Sequence, residues 1–459
     1  MKKTNSLTEG PIAKSIILFA LPILLSNLFQ QLYNSVDSAV VGHFAGAAAL
    51  AAVGSTGSII NLLIGFFLGL ATGTSVLYAM HYGAEDYPGL KKLIDSAMII
   101  SVIVSVFISA MGIGFCRPLL RWMDTPEDVL PLGMRYLRIF FSGTIVTMIY
   151  NVGAAMIRAE GDSTRPLIYL VIGGVSNFLL DLLLVAVFDM GVAGAAIATV
   201  AAQAVSAVLV VLRLMRLDER YRFRPMKIRF DKTVAWDIIR ISVPCGLQGS
   251  MFNISNLLVQ AKINTFGTMA MAGITAYGKI DGFIYMPISA LSFAVSTYVG
   301  QNIGAGKFER IRKGIILCMI LCVACSVTLG ITVMCVCRPL LSIFTQDEEA
   351  KAYALGMMRF LAPTAWILSA NDIFGGAIRG AGQAMKVTII SALTICLFRV
   401  VWLLTTLHFW TNIRFVYLCY PISWILCGIA MAIFYFKGSA IRKTIKSQTA
   451  PPGIKVTNE

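Results

Sequence analysis

Cys116-Arg117-Pro118-Leu119-Leu120 returns, residue for residue, as Cys337-Arg338-Pro339-Leu340-Leu341. Ile157-Arg158-Ala159-Glu160-Gly161 and Ile378-Arg379-Gly380-Ala381-Gly382 stand the same 221 positions apart, and Pro22 matches Pro244 with one residue of slippage. The chain is two copies of one plan. Each copy holds six apolar runs of about 20 residues or more, the length that crosses a bilayer. They cover 14–41, 48–80, 93–115, 131–157, 166–188 and 191–213, then 236–265, 269–300, 314–337, 352–378, 386–408 and 414–436. Six is even, so both copies enter the membrane from the same side and the repeat is parallel. The expected fold is an all-α integral membrane protein with twelve transmembrane helices in two six-helix lobes. A pseudo-two-fold axis along the membrane normal relates the lobes, an architecture of transporters with the substrate site at the lobe interface.

Expected boundaries follow from the same runs: an N-terminal lobe over 1–213, a basic linker over 214–235, a C-terminal lobe over 236–436 and a tail over 437–459. The linker region is dense in cations (Arg213, Arg216, Arg220, Arg222, Arg224, Lys227, Arg229, Lys232). It fits an interfacial amphipathic helix facing anionic lipid headgroups. The first span is too long and too polar for a cleavable signal peptide.

Composition excludes the other broad classes. Of 459 residues 57% are hydrophobic and 13% charged, against about 25% charged in soluble domains. That is too little polar surface for a soluble enzyme. The formal net charge is +15, which in a soluble domain would suggest nucleic acid. Here the cations fall in loops. With both termini cytoplasmic, Lys2, Lys3, Lys91, Lys92, Arg158, Arg165, Lys307, Arg310, Arg379, Lys386, Arg442 and Lys443 lie on one side. The opposite loops hold only Arg117, Arg121, Arg338, Lys351 and Arg414. This asymmetry predicts a multi-pass protein of the cell membrane, with the bilayer and not nucleic acid as its partner.

Enzyme signatures are missing from the sequence. His43, His81 and His408 lack ligand spacing, and no G-x-S-x-G or H-E-x-x-H occurs. Gly273-Ile274-Thr275-Ala276-Tyr277-Gly278-Lys279 approaches a phosphate-binding loop but continues into Ile280 inside a span. Cys318, Cys322 and Cys325 share a helix face as small buried hydrophobes. No cofactor or resident metal is expected. Uphill transport would then draw on an ion gradient or the membrane potential, about 2.3 kcal/mol per charge per 100 mV.

The informative residues are polar ones inside spans. Asn27, Gln30, Asn34 and Asp37 share one face of the first helix, and Asn177 and Asp181 lie one turn apart on the fifth. Carboxylates in a bilayer mark function by default, and two in one lobe suit a coupling ion. The second copy lost both: Val259 and Trp402 occupy the positions of Asp37 and Asp181. It kept a polar stripe in its first helix (Asn253, Asn256, Gln260, Asn264) and gained Lys262, Lys279, Asp281, Asp372 and Arg399. A structural bridge between Arg399 and Asp372 is one reading of those charges. Gly65, Gly69 and Gly73 suit close helix packing.

Thr8-Glu9-Gly10-Pro11-Ile12, Ala20-Leu21-Pro22 and Val36-Asp37-Ser38-Ala39-Val40-Val41-Gly42 resemble the multidrug and toxic compound extrusion (MATE) transporters. Arg158-Ala159-Glu160-Gly161-Asp162 resembles that family's loop after the fourth helix. The resemblance covers essentially the whole chain. It implies a secondary active exporter of cationic or amphipathic organic compounds, driven by entry of Na⁺ or H⁺ through alternating access, acting as a monomer. It also implies that Asp37 and Asp181 are the N-lobe carboxylates of the DinF-like branch, with Asn177, Asn151, Thr199 and Tyr136 beside them holding the cation. The glutamate that the other branch carries midway along helix seven is replaced by Gln248-Gly249-Ser250-Met251-Phe252-Asn253, although Asp372 matches its helix-ten acid. Coupling is therefore expected in the N-lobe at mid-depth. Gln31, Asn34, Asn256, Gln260, Lys279, Asp372 and Arg399 are expected to line the substrate cavity. The rival reading is a flippase for lipid-linked oligosaccharides, in which Lys279 and Arg399 hold a pyrophosphate. A channel or receptor would need a symmetric pore or a large extramembrane sensor, and the sequence offers neither.

Overall fold

The computed structural model describes residues 7–123, 125–127, 129–410 and 412–438. The expected positions of Lys2, Lys3, Arg442, Lys443 and the tail beyond residue 438 lie outside them. Among the described residues every regular element is helical. Before the linker come α1 (Ile12–Ala45), α2 (Gly46–Gly83), α3 (Tyr87–Trp122), α4 (Leu130–Ser142 and Thr144–Ala159), α5 (Thr164–Val187) and α6 (Gly191–Met215). After it come α7 (Lys232–Asn264), α8 (Thr268–Gly304) and α9 (Phe308–Phe344). They are followed by α10 (Glu348–Leu361, Ala362–Thr364 and Ala365–Gly380), α11 (Ala384–Phe409) and α12 (Ile413–Lys437).

Nine of these helices among the described residues, with the bent α4 as a tenth, are long and apolar enough to cross a bilayer. The remaining two are α7 and α10. In α7 the stripe Asn253, Asn256, Gln260 and Asn264 dilutes the apolar run. In α10 a 3₁₀ turn at Ala362–Thr364 leaves arms of 14 and 16 residues, each short of the ~20 that span hydrocarbon.

The repeat is visible in the backbone. Left-handed φ angles recur at Gly46 (85°) and Gly267 (99°), at Glu85 (55°) and Gly306 (67°), and at Gly161 (102°) and Gly382 (77°). Each pair is one repeat apart, so the same turns close the same helices twice. At Glu85 the left-handed conformation is borne by a residue with a Cβ, where glycine is usual.

The chain forms two compact units. The first is Leu21–Gly246, and the second joins Leu7–Ala20 to the residues from Leu247 onward. The division thus runs through α1 and α7, whereas the sequence boundaries fell at 213 and 236.

In the first unit the linker is part of the core. Leu217, Tyr221 and Phe223 are buried with Tyr78, Leu90, Leu93, Val210, Leu214 and Ile238. The Tyr221 hydroxyl donates to Glu160 Oε1 at 2.7 Å, and Arg213 lies 3.7 Å from Glu160 Oε2. Tyr221 stacks on Tyr87, over which Arg220 sits at 3.7 Å. Farther along, Lys92 pairs with Asp231 at 3.0 Å, and the Arg229 backbone N–H donates to the buried Asp95 at 3.4 Å. Between Met215 and Lys232 only Pro225–Lys227 is helical, as a single 3₁₀ turn. The expectation of an interfacial amphipathic helix is corrected: the linker's aromatic residues gain more by packing on this lobe than by lying on lipid. Gly69 and Gly73 fulfil the close-packing expectation, since a Cβ on either would come within 2.3 Å of the α7 backbone at Cys245 or Ser242.

In the second unit the segment before α1 is tied down by backbone bonds. Leu7 N–H donates to Gln301 at 3.1 Å, and Asn302 donates back to the Leu7 carbonyl at 3.3 Å. Lys307 reaches the Thr8 carbonyl at 3.0 Å, and Arg310 reaches that of Gly10 at 3.0 Å. Cys318 and Cys322 are buried as expected, whereas Cys325 is exposed.

Candidate ion-coupling site

Four helices of the first unit bring the site together. Asp37 comes from α1, Tyr136 from the first arm of α4, Asn177 and Asp181 from α5, and Thr199 from α6. The Asp37 and Asp181 carboxyls face each other. Two carboxylates have only acceptors to offer, so a hydrogen bond between them would require a proton on one. Asp181 and Asn177 are 0% and 1% exposed. With its amide oriented to satisfy both neighbours, Asn177 donates to Asp181 Oδ2 at 2.8 Å and accepts from the Thr199 N–H at 3.2 Å. Asp37 Oδ1 and Asp181 Oδ1 are buried and receive a hydrogen from no other described residue. Those are the atoms a proton or small cation would satisfy.

Thr199 is the hub of the neutral groups. Its hydroxyl donates to the Ala195 carbonyl at 3.0 Å, and the Tyr33 and Tyr136 side chains lie beside it. Tyr33 is the residue that sequence reasoning missed. It lies one turn before Asp37 on the same face of α1, and that spacing was the signal available. Asn151 is placed elsewhere in its bonding: its amide donates to Thr147 of its own helix at 2.8 Å.

The backbone around the acids is irregular in the same way twice. The π turn Val41–Ala45 follows Asp37 within α1, and the π turn Leu182–Val187 begins directly after Asp181. Such turns gather at functional sites, because an inserted residue re-aims the side chains of the helix. The site lies toward one end of its helices. Asp37 lies only about 12 Å of helical rise from the end of α1 at Ala45. Asp181, Thr199 and Tyr136 are similarly close to the helix ends opposite the linker, where Val41, Ala49, Val129, Val185 and Val192 pack.

The expected cavity residues divide between the units. Gln31 is half-buried and Asn34 exposed in the first. In the second, Asn256 and Lys279 are exposed, and Gln260 donates to Asn264 at 3.0 Å. Asp372 lies beside Tyr285, and its backbone carbonyl accepts from Ser292 at 2.9 Å. Ser292 in turn accepts from Arg379 at 3.2 Å. The bridge between Arg399 and Asp372 does not form. Arg399 turns instead to Ser423, Asn256 and Tyr420, because its place on α11 aims it toward α7 and α12.

Comparison with known proteins gives a consistent result. The MatE family model matches residues 22–183 and again 244–404, once per repeat and over more than half of the chain. The chain is 26% identical over 401 residues to the probable multidrug resistance protein YpnP of Bacillus subtilis, covering 86% of this chain and 89% of that one. It is 25% identical over 465 residues to a FAD transporter of Shewanella oneidensis, covering 98% and 99%. Among solved structures, an outward-facing multidrug resistance MATE family transporter of the MOP superfamily superposes with a TM-score of 0.88. It is 22% identical and covers 98% of this chain and 100% of that one. The chain therefore belongs to the MatE family, the multidrug and toxic compound extrusion transporters, whose members are membrane transporters and not enzymes.

Proposed function

We propose that this protein exports small amphipathic organic compounds that carry a cationic group, in exchange for protons that enter through Asp37 and Asp181. The observation that carries the reading is the pairing of two facing carboxyls, each with a buried Oδ1 that no described residue satisfies. A single shared proton satisfies both acids, and its loss leaves two negative charges in contact, a state that favours separation or the arrival of a cation. Sodium would need several oxygen ligands, as hard cations do. To provide one of them, Thr199 would have to turn its hydroxyl from the Ala195 carbonyl to which it now donates. The coupling ion can shift the access equilibrium only by its differential affinity for the two states. The working location is the bacterial plasma membrane with both termini inside, supported by the distribution of Lys and Arg. The names of the multidrug-resistance relatives support the direction of transport.

Proteoliposomes loaded with a fluorescent organic cation test this. Efflux should follow an imposed pH gradient and survive removal of Na⁺, and Asp37→Asn should fold yet lose the gradient dependence. Efflux that needs Na⁺ and ignores pH would transfer the role to sodium. Wild-type gradient-driven efflux by Asp37→Asn would remove the acid from the mechanism.

A further inference from the structure

We infer that Arg399, Asn256 and Ser423 form a subsite for an oxyanion, a carboxylate or phosphate, on the transported molecule, so that the cargo is zwitterionic and not merely cationic. This rests on the export reading and adds the chemical class of the cargo. Arg399 stands on α11 and is 5% exposed. Its Nε donates to Ser423 Oγ at 3.1 Å and its Nη1 to Asn256 Oδ1 at 3.2 Å. Its guanidinium carbon sits 4.3 Å above the Tyr420 ring. All three partners are neutral.

A guanidinium keeps its charge in any protein environment, and a charge inside a bilayer ordinarily finds an opposite one. Two other buried cations have done so: Lys351 lies 2.8 Å from Glu348, and Arg213 lies 3.7 Å from Glu160. Arg399 makes no ion pair among the described residues. Two of its five N–H donors are used in the bonds to Ser423 and Asn256. Tying α7, α11 and α12 together would explain those bonds, but a neutral amide could make them. The permanent charge is what needs an explanation. Ser423, 0% exposed, closes the inner side of the group, while Asn256 is exposed and leaves one side open. The planar fork of a guanidinium matches the two oxygens of a carboxylate or phosphate.

The backbone marks this residue as it marks the two acids. The π turn Ala392–Leu397 ends two residues before Arg399, and the other two π turns among the described residues flank Asp37 and Asp181. Arg399 is also private to the second half, since the residue one repeat earlier is Phe178.

The test is equilibrium binding, without any gradient, to full-length protein in phosphatidylcholine nanodiscs. The probes are rhodamine 110, which has a free carboxylate, and rhodamine 123, its methyl ester. The wild type should bind the acid about tenfold more tightly than the ester, as expected for a charge-assisted hydrogen bond. Arg399→Gln should abolish that preference. If Arg399→Gln fails to fold, Asn256→Asp decides, because it keeps the arginine and fills its fork from within. It too should lose the preference. An unchanged preference in the variants overturns the proposal. So does a wild type with no preference whose unfolding temperature is raised by phosphatidylglycerol through Arg399, because the oxyanion is then a lipid headgroup. Asp37→Asn should keep the preference while losing gradient-driven transport, so failure of the coupling reading and failure of this one give different results.

Discussion

The first unit sets two acids face to face, whereas the second buries one arginine whose partners are all neutral. The two come from one repeated plan, and their helices end at the same turns. At the repeat positions of Asp37 and Asp181 the second unit carries Val259 and Trp402, and at the position of Arg399 the first carries Phe178. The difference teaches that duplication fixed the scaffold while the buried charge diverged in sign between the two units.

Making the lobes alike should be the most damaging change. Val259 is 0% exposed, so Val259→Asp would place a carboxylate in α7 without the partner that Asp181 gives Asp37. A loss of about 3 kcal/mol or more is expected, seen as a fall in the unfolding temperature of the purified protein. A neutral outcome would mean that the second lobe still holds a usable acid site.

The linker offers a second contrast. Glu160 receives the Tyr221 hydroxyl in the first unit, and its repeat counterpart is Ala381. Tyr221→Phe should destabilise the protein by about 1–3 kcal/mol, because a buried carboxylate oxygen loses its donor. Removing the hydroxyl from Tyr298, which bonds the Arg310 carbonyl at 3.0 Å within the second unit, should cost less, about 1 kcal/mol. Equal losses would show that the linker contact has no special weight.

Glu160 also predicts a pH dependence confined to the first unit. Burial holds its carboxyl above the usual carboxylate range, against the opposing pull of Tyr221 and Arg213. The folded state therefore keeps this proton at a pH where the unfolded chain has released it. The stabilisation is complete below about pH 4.3, the ordinary glutamate value, and is lost as pH rises through the raised folded value. Glu160→Gln should flatten that part of the unfolding-temperature profile, and Tyr221→Phe should move the loss to higher pH. A profile unchanged by Glu160→Gln would assign the dependence to other groups.

The smallest effect should come from the turn between α2 and α3. Asp86 caps α3 by accepting from the Gly89 N–H at 3.0 Å, whereas Lys307 at the start of α9 makes no such side-chain cap. Asp86→Ala should cost about 1 kcal/mol, readable by the same thermal measurement.

Much of the scaffold was legible because membrane helices announce themselves by length and apolarity, and because Cys116–Leu120 and Cys337–Leu341 expose the repeat. The acids were legible too, since Asp37 and Asp181 interrupt apolar runs where a charge is costly. Other features depend on three-dimensional packing. Tyr33 looks like any aromatic residue of an apolar helix until Thr199 stands opposite it. Arg399 was paired with Asp372 on charge alone, which ignores the direction in which α11 aims its side chain. The π turns leave no pattern in residue type, and they account for how Asp37, Asp181 and Arg399 are presented. The linker was misjudged because its cations drew attention from Leu217, Tyr221 and Phe223, which bury themselves against the first unit.

The central claim is that Asp37 and Asp181 jointly hold the proton that cargo displaces. Counting protons released when an organic cation binds to purified protein in weakly buffered solution tests it most directly. The account predicts release of roughly one proton per transporter from the wild type, because the two acids titrate as a pair, and none from Asp37→Asn or Asp181→Asn. Undiminished release from both variants would contradict it.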